Sequence, residues 1–154
     1  MARERRRRYR RVERRYVVDY VLNKYKSFIR VFYNLRLGPP PEWVEKAFPG
    51  LPKGVYRPWQ RYADAVVVTD ATIDVIEAKV HNWKTGIGYL IEYEPLIPQT
   101  PTLKPYLGRS IRKILVIPLP DPWVLQTAPK YGIIVDVYCP DWLVPILREK
   151  HYLP

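Results

Sequence analysis

The chain contains little cysteine, little histidine and no long apolar run. A single cysteine, Cys139, and two histidines occur among 154 residues. One cysteine excludes an internal disulfide and a zinc site built from paired cysteines. No apolar stretch approaches the roughly 20 residues that a membrane-spanning helix needs, and the arginine-rich start lacks the apolar segment of a secretory signal. We therefore expect a protein that is not secreted, located in the cytoplasm or in a virion.

Acidic residues are also few relative to basic ones. Lys and Arg number 26 against 15 Asp and Glu, which gives a formal net charge of +11. This excess implies a polyanionic partner, most simply nucleic acid. Proline, in contrast, is abundant with 17 residues, and its short clusters indicate rigid turns between elements. The length suits one folded domain.

Nine arginines lie between positions 3 and 15. Because like charges repel and cannot be buried, residues 1–11 are predicted to form a mobile basic arm in front of a single domain over 12–154. Arms of this kind bind phosphates without reading sequence, and a solvated tail is the alternative. The arm residues expected to contact nucleic acid are Arg5, Arg6, Arg7, Arg8, Arg10 and Arg11.

Apolar periodicity predicts an α/β domain. An apolar stripe with helical spacing covers residues 12–25, and alternation with period two predicts a strand over 28–37. A proline- and glycine-rich excursion follows over 38–61, with one helical turn at 42–47. A hairpin comes next. After it, three helices are predicted, at 86–97 with Thr85 as its cap, at 121–128 and at 141–150. Two strands, at 113–118 and 133–138, alternate with these helices.

The hairpin is predicted from residues 63–69 and 73–80, which are rich in β-branched side chains on both sides of a short break. A symmetric loop in this break places Asp64 directly opposite Glu77, with Cβ atoms about 4.5–5.5 Å apart. Because side chains alternate between the faces of a strand, Lys79 shares the face of Glu77. One register therefore gathers two carboxylates and an ammonium at one end of the hairpin.

Two carboxylates held opposite each other repel, and a bound divalent cation removes that cost. Magnesium prefers a few carboxylate oxygens and keeps several waters. Such an ion polarises a scissile phosphate and lowers the pKa of a bound water. Lys79 would orient or activate that water and offset the charge that develops at phosphorus. The pattern favours hydrolysis of phosphodiester bonds.

Asp64, preceded by Ala63 and followed on the next strand by Glu77-Ala78-Lys79, resembles the D…ExK signature of the PD-(D/E)XK nuclease superfamily. The resemblance implies an α/β fold with a restriction-endonuclease-like αβββαβ core and a mixed central sheet flanked by helices. It also implies a Mg2+-dependent DNA endonuclease in which Mn2+ substitutes. By this resemblance Asp64, Glu77 and the backbone carbonyl of Ala78 bind the metal, and Lys79 is catalytic. Ala63 replaces the proline of the family name.

Further candidates surround this trio. The resemblance implies an acidic residue from the first helix as an additional metal ligand, for which Glu13 is the better match and Asp19 the alternative. For both, a charge that only balances the neighbouring arginines is the other interpretation. His81 continues the face of Glu77 and is either a phosphate contact or incidental. Basic residues expected to line a duplex groove, or else a solvated surface, are Lys84, Arg109 and Arg112.

Two functions of different class fit these residues. The first is a metal-dependent DNA endonuclease directed by DNA structure or ends, as in a resolvase, a repair nuclease or a phage DNA-processing protein. The second is a non-catalytic nucleic-acid-binding or virion-assembly protein that retains the nuclease fold. Cleavage of two strands by so small a nuclease favours a homodimer, and a targeting partner protein is another source of specificity. No membrane partner is expected.

Overall fold

The computed structural model describes residues 1–39, 42–50, 52 and 60–154. A five-stranded mixed sheet flanked by helices confirms the predicted α/β class. The strands are β1 (Arg30–Leu37), β2 (Arg61–Val68), β3 (Thr72–Ala78), β4 (Ser110–Ile117) and β5 (Ile133–Val137). The α-helices are α1 (Ala2–Lys24), α2 (Glu42–Ala47), α3 (Thr85–Tyr93), α4 (Pro122–Thr127) and α5 (Val144–Glu149). Short 3-10 helices occupy Glu94–Gln99, Pro101–Tyr106, Ala128–Tyr131 and Asp141–Leu143.

The strands follow chain order across the sheet, β1-β2-β3-β4-β5. The first three are antiparallel neighbours, whereas β3, β4 and β5 run parallel. Parallel neighbours need a crossover connection, and the segments that contain α3 and α4 supply one each. As a result, the start of β2 and the ends of β3, β4 and β5 meet at one edge of the sheet, which we call the C-terminal edge.

The central strands β2 and β3 are buried on both faces of the sheet. One core is packed against α3 and includes Val66 and Val75. The other is packed against α1 and α5 and includes Val67 and Ile76. Successive side chains of β2 and β3 therefore enter opposite cores, and burying their apolar surface contributes roughly 25 cal/mol per Å2. Asp74, the fully buried acidic residue within β3, is paired with Tyr25 and Arg112.

Helix α1 begins at Ala2 and not near Val12 as predicted. Its inner face follows helical spacing and includes the buried rings of Tyr16 and Tyr20. Arginine is a good helix former, so the arginine-rich turns continue the helix despite their charge. The predicted basic arm over residues 1–11 is therefore the first part of α1, and its mobility stays a prediction.

Helix α3 ends at Tyr93, earlier than predicted. Pro95 and Pro98 have no N–H for α-helical hydrogen bonds, and the chain continues as a 3-10 helix. The predicted cap by Thr85 is also wrong, because its hydroxyl donates to the Asn82 carbonyl at 2.7 Å instead of accepting from the first turn.

The excursion predicted over residues 38–61 is described only in part. Helix α2 confirms the turn predicted at 42–47, while the rest of the prediction at 40–41, 51 and 53–59 lies outside the described residues. Within the described part of the chain, no helix combines the length and the apolar content of a membrane span.

Side-chain alternation in β1 and β2 breaks at one position. Asn34 of β1 and Asp64 of β2 are not paired with each other, although the residues on either side of them are paired. Asn34 has a φ of 50°, the left-handed conformation that asparagine tolerates better than most residues. Beside it, Phe32 and Leu35 pack against the same core, whereas strict alternation would separate them. Because of this break, Asp64 is not part of the regular β1–β2 pairing near the C-terminal edge.

Replacing Asn34 by valine should destabilise the fold by roughly 1–2 kcal/mol, because a β-branched residue is strained at positive φ. Asn34→Gly, which adopts that conformation without strain, should stay within about 1 kcal/mol of the parent. Urea unfolding followed by circular dichroism measures both variants. Equal losses in the two would contradict the role given to the left-handed conformation.

Candidate active site at the C-terminal edge

The central hairpin brings the three predicted site residues together. Its register pairs Val68 with Ile73, as predicted. Asp64 and Glu77 are the next residues beyond the last paired positions of β2 and β3 at the C-terminal edge. Lys79 follows, with its Nζ 3.1 Å from Glu77 Oε1. The structure thus places two carboxyl groups and an ammonium at the end of β3.

Asp64 is held by the backbone of β3. The Ala78 N–H donates to Asp64 Oδ2 at 2.9 Å. The next N–H, that of Lys79, points the other way and donates to the Val116 carbonyl at 2.9 Å. In an extended strand, the N–H and C=O of one residue point to the same side. The Ala78 carbonyl therefore faces the side on which Asp64 lies, where the resemblance implies a metal ligand.

Glu77 is almost fully enclosed, with 3% of its surface exposed. One carboxylate oxygen accepts from Lys79, and the other, Oε2, lies 3.1 Å from the hydroxyl of Tyr93 in α3. That hydroxyl also donates to the carbonyl of Tyr62 in β2 at 2.9 Å. Strand β2, strand β3 and helix α3 are therefore linked through one glutamate.

Burial raises the pKa of both carboxyl groups. The pKa of Asp64 rises to about 6, with the Ala78 N–H and Lys79 opposing the rise. The pKa of Glu77 rises to about 8, because burial and the repulsion from Asp64 outweigh the attraction of Lys79. Burial lowers the pKa of Lys79, but the surrounding carboxylates outweigh it and raise the pKa overall, so the ammonium stays charged. Lys79 is one cation beside two carboxyl groups. Its charge does not bring the pKa of either group back to the usual value.

Helix α1 adds Glu13 to this cluster. Burial raises the pKa of Glu13, while Lys79 and a backbone N–H oppose the rise. Glu13 Oε1 lies 3.7 Å from Nδ1 of His81, so the structure also brings that histidine to the border of the site. Asp19 is used elsewhere, since it accepts from the Tyr138 hydroxyl at 2.7 Å. Of the two acidic candidates in the first helix, the structure gathers Glu13 and not Asp19.

Two tyrosines of α3 complete the site and were not predicted. Tyr93 contacts Glu77, and the ring of Tyr89 lies 4.9 Å from Lys79 Nζ in a cation–π arrangement. The rings of Tyr89 and Tyr93 stack on each other. Their spacing of four residues places both on one helix face. That spacing was visible in the sequence, but the face it turns toward depends on how α3 packs.

Two of the basic residues predicted outside the arm, Arg109 and Arg112, bond to groups away from this site. Arg112 forms an ion pair with the buried carboxylate of Asp74. Arg109 donates to the carbonyl of Thr69 at 2.9 Å, beside the turn of the hairpin. Both therefore lie toward the opposite end of β3. Lys84 stands over a tryptophan ring. Arg109 and Arg112 thus lie apart from the trio, and their contact with a duplex groove stays a prediction.

The available donor set fits a small divalent cation. Asp64, Glu77 and the Ala78 carbonyl present oxygen atoms, the ligand type that magnesium prefers, and water completes its shell. Two carboxyl groups with raised pKa also gain from a cation that favours their ionised form. No group of three or more His, Cys, Asp or Glu side chains that could hold a metal occurs among residues 1–39, 42–50, 52 and 60–154. A metal would therefore need the backbone carbonyl and water as well as side chains.

Metal-free protein should lose stability as the pH rises. The folded-state pKa values of Asp64 and Glu77 exceed the unfolded values, so their contribution is complete below about pH 4 and is lost as the pH rises through about 6 and then 8. In EDTA, the midpoint of thermal unfolding should fall between about pH 5 and pH 9. Glu77→Gln should remove much of this fall, and adding magnesium to the parent at high pH should raise the midpoint.

Glu92→Gln serves as the matched control, because Glu92 is an exposed carboxylate outside the cluster. It should leave the pH dependence of unfolding as in the parent. A parent whose stability in EDTA does not change over this range, or a Glu77→Gln protein that follows the parent curve, would show that the two carboxyl groups are not destabilised by burial.

Comparison with known proteins does not place the chain in a family. No family model, no curated protein and no solved structure matches it. The basis for a function is therefore the geometry of Asp64, Glu77 and Lys79 and the charges around them.

Proposed function

We propose that the protein is a magnesium-dependent deoxyribonuclease that hydrolyses phosphodiester bonds, with Asp64, Glu77 and Lys79 as its active site. The observation that carries this proposal is the convergence of two buried carboxyl groups of raised pKa and one ammonium at the end of β3. Perturbed pKa values of this kind are typical of functional sites, because burying such groups is costly.

The topology supports a restriction-endonuclease-like core. Helix α1, the antiparallel strands β1 to β3, helix α3 and the parallel strand β4 follow one another in the order αβββαβ. Helix α2 is then an insertion between β1 and β2, and the segment from α4 to α5 extends the core. The trio occupies the second and third strands of this core, which is where the D…ExK resemblance implies it.

A metal ion would be held by Asp64, Glu77 and the carbonyl of Ala78, while Glu13 adds negative charge near Asp64. When bound, magnesium supplies a Lewis acid that polarises the scissile phosphate and acidifies a coordinated water. The chain's own task is to fix these oxygens in place. Tyr93 orients Glu77, and the Ala78 N–H orients Asp64.

Lys79 would act on the reacting atoms directly. Its ammonium has three N–H donors, and the described carboxylate contact at Glu77 uses one of them. The other donors would hold a phosphate oxygen or the attacking water and offset the charge that develops at phosphorus. Hydrolysis then forms a bond from water oxygen to phosphorus and breaks the bond to the leaving oxygen, which takes up a proton. The neighbouring ring of Tyr89 limits where the ammonium can move.

The basic character of the chain favours DNA as the substrate. The described residues form one α/β unit around a single sheet, which favours recognition of duplex or branched DNA structure or of DNA ends over reading of a long sequence. Resolution of junctions, repair and phage DNA processing are the classes of activity that fit. The proposal also includes a homodimer, whose second active site would cut the second strand. It includes a targeting protein as well, which would supply specificity.

The alternative is a non-catalytic DNA-binding or virion-assembly protein with the same fold. It is favoured by one specific observation: both oxygens of Glu77 already have partners within the protein, Lys79 and Tyr93. A glutamate satisfied in this way could serve structure alone. Dependence of the activity on metal and on Glu77 separates the two functions.

Cleavage of labelled linear, single-stranded and four-way-junction DNA in magnesium tests the proposal. Glu77→Gln and Lys79→Gln should each lower the cleavage rate by on the order of 100-fold or more, because each removes a group that acts in the transition state. EDTA should abolish cleavage by the parent, and manganese should restore it.

Glu92→Gln and Lys104→Gln are the matched controls, since they make the same changes at exposed positions. Both should cut at the rate of the parent. If the parent binds DNA but does not cut it in magnesium or manganese, and the site variants bind equally well, the catalytic function is wrong and the alternative stands.

A further inference from the structure

Helix α1 extends beyond the C-terminal edge of the sheet. The helix runs antiparallel to β3, because Tyr25 near its end bonds Asp74 while Glu13 lies beside Lys79. Nearer the start, the ring of Tyr9 packs against His81, with ring centroids 4.3 Å apart. The residues before Glu13 therefore continue past the site, over a length of about 16 Å at a rise of about 1.5 Å per residue.

This projecting part is attached to the domain along one side only. Tyr9 lies between His81 and Lys150, and Arg8 forms an ion pair with Glu149 at 3.0 Å. The other arginines before Glu13 are exposed. Counting back from Glu13 with helical spacing gives Arg10, Arg6 and Arg3, which consequently share the helix face that Glu13 presents to the site.

The positive charge around the site is distributed unequally. On the α3 side, Arg61 pairs with Glu92 and Lys113 with Glu94, which leaves Lys84, over a tryptophan ring, without a described ion pair. Along α1, the described part of the chain contains one ion pair of an arginine, that of Arg8 with Glu149. A row of like charges on a helix is unfavourable until a polyanion neutralises it. The larger part of the uncompensated positive charge therefore lies on the α1 side of the site.

We propose that duplex DNA runs from the site along the first eleven residues of α1, gripped through its phosphates by Arg3, Arg6 and Arg10. The proposal rests on the proposed nuclease function and specifies its substrate: a double helix that extends to one side of the scissile bond. A length of about 16 Å corresponds to about five base pairs at about 3.4 Å each. A straight helix with fixed charge spacing matches a duplex, whose phosphates are also fixed, better than a flexible single strand.

Binding in EDTA tests this path without any need for cleavage. The probe is labelled duplex DNA of mixed sequence, and the dissociation constant is measured over a series of salt concentrations. Replacing Arg3, Arg6 and Arg10 together by Gln should lower the slope of log affinity against log salt by about 2.7, because each phosphate contact contributes about 0.9. Replacing the same three by Lys keeps their charge and should keep the slope within about one contact of the parent.

The matched control replaces Lys26, Lys104 and Lys130 by Gln, which removes the same charge from exposed positions away from the C-terminal edge. It should leave the slope near that of the parent. A control that lowers the slope as much as the α1 variant, or an α1 variant with an unchanged slope, overturns the proposal. These outcomes are independent of the cleavage assay, so loss of the nuclease function and loss of the DNA path are told apart.

The direction of the duplex is tested with the same assay on probes shortened from one end at a time around a fixed nick or junction. We expect removal of base pairs from one side to weaken binding steeply below about five pairs, and removal from the other side to have little effect. The loss on the sensitive side should disappear in the Arg3, Arg6 and Arg10 variant. A symmetric loss, or single-stranded DNA bound as tightly as duplex, would show that α1 does not follow a double helix.

Discussion

The enclosure of Asp64 and Glu77 beside one ammonium is the constraint on which the site depends. Each carboxyl group loses its hydration in the fold, and Lys79 offsets only part of that loss, as the raised pKa values show. Such an arrangement persists only where the surrounding structure determines it. Here the apolar cores on both faces of β3 supply the stability, and helices α1 and α3 cover the hairpin from opposite sides.

Few acidic residues are present, and several of them hold α1 in place. Three aspartates accept hydrogen bonds from tyrosine hydroxyls, and in each pair one residue lies in α1 or directly after it: Asp19 with Tyr138, Asp136 with Tyr20 and Asp74 with Tyr25. These contacts fix the position of the helix along the sheet. Because α1 carries Glu13 near its middle, they also fix how far that carboxylate reaches into the site. The same contacts fix the arginines that precede Glu13.

The hairpin and its register followed from the sequence because a period-two pattern with a short break allows few alternatives. Glu13 could likewise be proposed from its place in the first helix. Tyr93 could not be assigned, since its contact with Glu77 depends on the angle at which α3 crosses the sheet. The ion pair of Arg112 could not be foreseen, because its partner, Asp74, faces it only once β3 and β4 are aligned in parallel. The helical start of α1 was missed because repulsion among arginines was weighed above their helix propensity.

The hydroxyl of Tyr93 has more hydrogen-bond acceptors within reach than it has hydrogens to donate. A phenol carries one hydrogen, yet the Tyr62 carbonyl at 2.9 Å and Glu77 Oε2 at 3.1 Å both lie within its reach. If Glu77 holds its own proton, its carboxyl group donates to Tyr93, Tyr93 donates to Tyr62, and every partner is satisfied. Once that proton leaves, a carbonyl and a carboxylate compete for a single hydrogen. The orientation of the Tyr93 O–H bond therefore depends on the charge of Glu77. Through this bond, a change of charge at the end of β3 alters a hydrogen bond made by helix α3.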